Sequence, residues 1–99
     1  MRYLNFEPSD DADGVVTLDA MASTGAAQHA AVLAEVQQVL AWAHARFPHS
    51  HGPLHDGMDW DHSLQVQVED GHWHVVTLTL AASPRFADAF LARFGSGGD

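Results

Sequence analysis

The sequence contains no cysteine and no lysine, and its only cationic side chains apart from histidine are four arginines. The absence of cysteine excludes disulfide bonds, cysteine-ligated zinc and thiol catalysis, although a cysteine-free chain suits either redox environment. The 13 acidic residues bring the formal net charge to −9. Because the arginines are scattered along an acidic chain, we expect neither nucleic acid nor an anionic membrane as a partner.

Long apolar runs are also missing. No segment approaches the roughly 18 apolar residues that a membrane-spanning helix needs, and residues 1–7 lack the apolar stretch of a secretion signal. We therefore expect a cytoplasmic protein. A chain of 99 residues with 46% hydrophobic content can build one core but not two. We assign a single domain to residues 1–94 and expect the glycine-rich tail, residues 95–99, to be flexible.

The first half of the chain alternates apolar and polar residues before a long helical pattern begins. This alternation predicts a strand over residues 2–7, ended by Pro8, and a second strand over residues 15–21. Ser23 or Thr24 is the expected cap of the helix, which Pro48 ends. The apolar stripe of that helix is predicted to comprise Leu33, Val36, Leu40, Ala43 and Phe47.

The second half repeats this order of elements. Residues 49–61 show no sustained periodicity and are read as a loop, and residues 63–69 alternate as a half-buried strand does. Asp70-Gly71 signals a hairpin into a return strand over residues 72–82. Ser83-Pro84 then predicts the start of a short helix, with Gly95 at its end. Its apolar side is predicted to carry Phe86, Phe90 and Phe94.

The two halves are also alike in sequence. Val15–Ser23 and Val75–Ser83 agree at both valines and at threonine, leucine, alanine and serine positions, and each helix ends in Ala-Arg-Phe. We interpret this as a possible internal duplication of a strand, strand, helix unit. The predicted fold is a two-layer α+β sandwich, in which a four-stranded antiparallel sheet in ββαββα order carries both helices on one face.

The register of the second hairpin decides which side chains enter the core. A two-residue turn pairs Glu69 with His72, whereas a three-residue turn aligns Leu64 with Val76. We favour the three-residue turn, because it places Val76 and every second residue after it on the core face. In the first half of the chain, Val16 and every second residue after it have the matching positions. The opposite face then carries an apolar group that we expect to be covered by a second copy of the chain. That group comprises Trp73, Val75, Thr77 and Thr79.

Eight histidines are several-fold more than a chain of this length ordinarily has. Imidazole and carboxylate groups suit zinc, nickel and similar ions. The loop and His62, which directly follows it, could therefore form a metal site. The sequence implies no other cofactor. The candidate ligands are His49, His51, His55 and His62, with aspartates between them. The spacing matches no known structural zinc pattern, and a solvated polar loop is the alternative interpretation.

Three functions remain open on this reading. The first is a non-enzymatic interaction module that forms a homodimer or binds another protein, through the sheet face around Trp73 or through the long helix at Trp42. The second is a divalent-metal-binding protein that uses the histidine-rich loop. The third is a small-ligand carrier or enzyme with a groove between the loop and the open sheet face, lined by Trp60 and Trp73.

Overall fold

A computed structural model describes residues 2–10 and 13–95, so most of the predicted tail, residues 96–99, lies outside the described residues. The four strands form one antiparallel sheet in the order β1-β2-β4-β3. This confirms the predicted α+β fold in ββαββα order. The elements are β1 (Glu7–Asp10), β2 (Val16–Thr24), α1 (Ala26–Arg46), a 3-10 turn (Leu54–Asp56), β3 (Trp60–Glu69), β4 (Trp73–Ala82) and α2 (Pro84–Phe94).

The core lies between one face of the sheet and the two helices. Val76 and every second residue after it in β4, which the alternating pattern assigned to the core, are fully buried. Leu18 of β2 is fully buried as well. Helix α2 forms as expected: the Ser83 side chain accepts a hydrogen bond from the N–H group of Phe86 at 3.2 Å. Its apolar side contributes the three predicted phenylalanines to the core: Phe86, Phe90 and Phe94.

The hairpin between β3 and β4 has a register that differs by two residues from the one we favoured. Leu64 pairs with Leu78, and Val66 pairs with Val76. The three-residue turn begins one residue later than expected, at Asp70, and both Asp70 and Gly71 have positive φ angles, 54° and 75°. Because a shift of two residues preserves the side-chain period of a strand, the predicted core face is nevertheless correct.

The N-terminal strand is not where the alternation placed it. Strand β1 is Glu7–Asp10 and runs through Pro8, which is tolerated because β1 lies at the edge of the sheet. Residues 2–4 instead donate their N–H groups to the carboxylate of Glu35 on α1, at 3.0–3.2 Å. Residues 2–4 are therefore attached to α1, and the side chain of Leu4 is buried.

Helix α1 begins later than predicted. Strand β2 continues to Thr24, so the N-cap is Gly25, which has no side chain that could accept a hydrogen bond from the first turn. The buried stripe is also rotated relative to the prediction, because Leu33 and Leu40 are only partly buried. Apolar residues on several sides of this alanine-rich helix fit more than one stripe. The buried residues are Val32, Val36, Val39 and Ala43.

The segment predicted as a loop is held at both sides. Trp60 already belongs to β3, is fully buried, and donates its indole N–H to the carbonyl of Phe47 at 3.3 Å. The Asp59 carboxylate accepts a 2.8 Å hydrogen bond from the hydroxyl of Ser83 and forms an ion pair with Arg85. These contacts join the loop to the end of α1 and to the start of α2.

Candidate interaction surface and histidine cluster

Two of the four candidate metal ligands lie side by side. The Nε2 atom of His51 is 3.0 Å from Nδ1 of His62 and 3.4 Å from Oδ1 of Asp61. One potential ligand atom from each residue lies within 4.8 Å of the others. The other two predicted ligands, His49 and His55, lie outside this group of described residues. We refer to His51, Asp61 and His62 as the histidine cluster.

A short stretch of parallel pairing positions His51. The N–H group of Gly52 donates to the carbonyl of Trp60 at 2.8 Å, and the N–H group of Trp60 donates to the carbonyl of Ser50 at 3.2 Å. The His51 ring consequently stacks on the indole of Trp60, with ring centroids 4.1 Å apart. His44 on α1 lies edge-on to the His51 ring at 5.1 Å. The ring of His51 is therefore held between two elements of the fold.

The electrostatics of the cluster favour neutral His51. Burial lowers the pKa of its imidazole, and the neighbouring His62 and His44 lower it further, against the opposing effect of Asp61. The Asp61 carboxylate also accepts a 2.9 Å hydrogen bond from the backbone N–H group of His62. A neutral imidazole has a lone pair available to bind a proton or a cation.

The predicted dimer residues are divided between the surface and the interior. Trp73 is 44% exposed on the open face of the sheet, and Val75 and Thr77 are half-buried on the same face. Trp42, in contrast, is partly buried against the core and makes edge-to-face contacts with the three phenylalanines of α2, at centroid distances of 5.4–5.8 Å. Polar Gln65 of β3 pairs with Thr77 and interrupts the apolar open face.

An exposed apolar surface that was not predicted from the sequence lies on the opposite face of β3. Leu64, Val66 and Val68 lie on the side of the sheet that carries the helices, yet they are 39%, 47% and 56% exposed. Both helices pack against β2 and β4, so this part of β3 is uncovered. The alternating pattern correctly predicted a strand over residues 63–69, but the prediction that this strand is half-buried is wrong, because all seven residues are exposed.

The two edges of the sheet differ in how they are protected. Strand β1 has four residues, among them Pro8 and two acidic residues, all of which discourage pairing with another chain. Strand β3 has ten residues, and the last seven, Ser63–Glu69, are exposed. These seven residues include no proline and only one charged side chain, Glu69. We call Ser63–Glu69 the exposed edge segment.

Comparison of the chain with protein-family models, with curated proteins and with solved structures found no match. Among the described residues, no helix is both long enough and apolar enough to cross a membrane.

Proposed function

We propose that this chain is a protein-interaction module that forms a homodimer by pairing the exposed edge segment with the same segment of a second copy. The observation that carries the proposal is the exposure of Ser63–Glu69 at the sheet edge. A long edge strand with apolar side chains is a template for pairing with another strand. Antiparallel pairing of two copies would extend the sheet from four strands to eight.

The backbone of β3 offers hydrogen-bonding groups on its free side. The N–H and C=O groups of Trp60 bond to residues 50–52, on the side away from β4, and the N–H group of His62 bonds to the Asp61 carboxylate. Backbone groups two residues apart point to the same side of a strand. The groups of Leu64, Val66 and Val68 therefore point to the free edge, where a second strand could bond to them.

The sequence of the exposed edge segment is complementary to itself. Val66 is its central residue, and antiparallel pairing about a twofold axis at Val66 places Leu64 opposite Val68 of the partner subunit. On the other face, Gln65 lies opposite Gln67 of the partner subunit. Apolar side chains thus meet apolar ones and amides meet amides, and no like charges face each other.

Neighbouring registers lack this complementarity. Because the available backbone groups recur every second residue, the register can move only in steps of two. One step places Glu69 opposite Asp61 of the partner subunit, and two carboxylates at this separation repel each other. The opposite step places Leu64 opposite Asp70 of the partner subunit. The register centred on Val66 is therefore the one that we propose.

Net charge opposes association, since each copy carries −9. The exposed edge segment contributes only Glu69 to that charge, so most of the charges that repel each other lie outside the contact and act over longer distances. Salt screens such distant interactions, with a Debye length of about 10 Å at 0.1 M ionic strength. We therefore expect the dimer to be stronger at 0.5 M than at 0.05 M sodium chloride.

Sedimentation velocity of the wild type and two variants tests this proposal. Val66→Glu places two carboxylates opposite each other at the twofold axis and should give a monomer. Trp73→Glu, on the open face that sequence analysis predicted as the interface, is the matched control and should remain dimeric. Circular dichroism verifies that both variants are folded, which we expect because both replaced side chains are substantially exposed.

A monomeric wild type at 0.5 mM would overturn the homodimer, and so would a Val66→Glu variant that dimerises as well as the wild type. Dissociation by Trp73→Glu alone would instead show that the open face is the interface. Binding of a different protein along β3 to a monomeric wild type would also contradict self-association.

A further inference from the structure

We propose that the histidine cluster binds one divalent transition-metal ion of the zinc class, with Nε2 of His51, Nδ1 of His62 and a carboxylate oxygen of Asp61 as ligands. This site adjoins the exposed edge segment, since Asp61 and His62 directly precede Ser63 on β3. All three ligands come from one chain, so binding of the ion does not require the dimer. Of the four candidate ligands predicted from the sequence, the site uses two histidines, and it adds the carboxylate of Asp61, whose Oδ1 atom lies 3.4 Å from Nε2 of His51.

The distances within the cluster suit a tetrahedral ion. Zinc binds imidazole nitrogen and carboxylate oxygen at about 2.0–2.2 Å, which separates neighbouring ligand atoms of a tetrahedron by about 3.3–3.6 Å. The two separations from His51 Nε2 are 3.0 Å to His62 and 3.4 Å to Asp61. These two separations are close to the tetrahedral value, and the side chains would rotate to admit an ion in place of the hydrogen bond between the two imidazoles.

The surroundings keep the cluster in place before any ion arrives. The indole of Trp60 supports the His51 ring, and the rings of His51 and His62 are stacked with centroids 5.0 Å apart. Asp61 is held by its hydrogen bond to the backbone N–H group of His62. A binding site whose ligands are already ordered loses less conformational entropy when the ion binds.

The ligand types select the class of ion. Two imidazoles and one carboxylate suit Zn²⁺, Ni²⁺ and Co²⁺, whereas Ca²⁺ and Mg²⁺ prefer a shell made of oxygen atoms. The side chains of His51 and Asp61 are 31% and 42% exposed, so an ion can reach them from solvent. Three protein ligands leave one tetrahedral position for water, which is the arrangement of zinc sites that are open to exogenous ligands.

Isothermal titration calorimetry with zinc chloride on untagged protein tests the site. The measurement uses both the wild type and Val66→Glu, so that metal-driven association is not counted as binding. We expect one ion per chain in each. In His51→Ala and His62→Ala, the affinity should fall at least about tenfold, since each variant loses one of three ligands.

The histidine-rich loop provides matched controls. His49→Ala and His55→Ala remove an imidazole from the same part of the chain but outside the cluster, so they should retain wild-type affinity. Co²⁺ supplies a second readout, because a tetrahedral site gives an intense visible absorption band that should disappear in His62→Ala. Lack of saturable binding would overturn the site, as would equal loss of affinity in the cluster variants and the control variants.

Discussion

The hydroxyl group of Thr79 donates a 2.6 Å hydrogen bond to the carboxylate of Asp19 across the centre of the sheet. The two residues are paired directly between β2 and β4. In the alignment of Val15–Ser23 with Val75–Ser83, Asp19 and Thr79 also occupy the same position. The pairing of equivalent residues places a local twofold axis there, which is the arrangement expected if the two halves repeat one unit.

This contact should contribute to stability in a measurable way. Thr79→Val removes the hydroxyl group but retains the β-branched shape that suits a strand. We expect the free energy of unfolding to fall by about 1 kcal/mol, the usual net contribution of a side-chain hydrogen bond. Thr77→Val, on the same strand face two residues away, is the control in urea denaturation. Equal losses in both variants would show that the contact with Asp19 contributes nothing specific.

Asp59 should make stability depend on acidity. The hydrogen bond from Arg85 is the main cause that holds the pKa of the Asp59 carboxyl below its ordinary value, and bonds from Ser83 and Ser50 add to it. A depressed pKa means that the stabilisation is complete above the unfolded-state value of about 4 and is lost as the pH falls through the folded-state value. Asp59→Asn should therefore destabilise the protein more at pH 7 than near pH 2.

At pH 7, Asp59→Asn should lower the free energy of unfolding by roughly 1–2 kcal/mol. The loss is no larger because Arg85 is largely exposed, so that solvent screens its attraction to Asp59. Thermal denaturation at both pH values measures it. Asp56→Asn is the control, because Asp56 is exposed in the same loop and lies 3.7 Å from the exposed His55. A destabilisation by Asp59→Asn that is the same at both pH values would contradict the role of the charge.

His51 should titrate below the ordinary imidazole value of about 6.5. Burial is the main cause of its lowered pKa, and His62 and His44 act in the same direction, whereas Asp61 raises the pKa. The unfolded chain thus takes up this proton at a higher pH than the folded chain, so the effect destabilises the fold as the pH falls from about 6.5 through the lowered value.

Nuclear magnetic resonance titration of the imidazole signals in metal-free protein checks this prediction. The His51 midpoint should lie below 6.5 in the wild type, and Asp61→Asn should lower it further, because the substitution removes the group that favours the charged imidazole. A higher midpoint in Asp61→Asn would show that the carboxylate does not act on His51 as the structure indicates.

Several features of the fold followed from local sequence. Ser83, Pro84 and Gly95 mark the two ends of α2, and each acts through the conformation or hydrogen bonds of its own turn. The alternation in β4 identified the buried face even though the register was two residues away. The prediction for β1 failed because the N–H groups of residues 2–4 bond to Glu35, more than thirty positions along the chain.

The candidate sites could be predicted from the sequence less well than the fold. Residue types in the loop indicated metal chemistry, but nothing in their spacing separated His51 from His49 or His55. The parallel pairing of His51 with Trp60 makes that choice, and it depends on contacts across the loop. Trp60 was expected to line an open groove, yet it is fully buried beneath the histidine cluster.

The sequence by itself determined the order of elements and the buried face of β2 and β4, because these depend on composition and on the two-residue period of a strand. The tertiary structure alone decided which histidines meet and which apolar residues stay exposed. Val66 and Val76 have the same place in the pattern, but the helices cover only Val76. Burial depends on what lies over a side chain, and a local pattern contains no information about that.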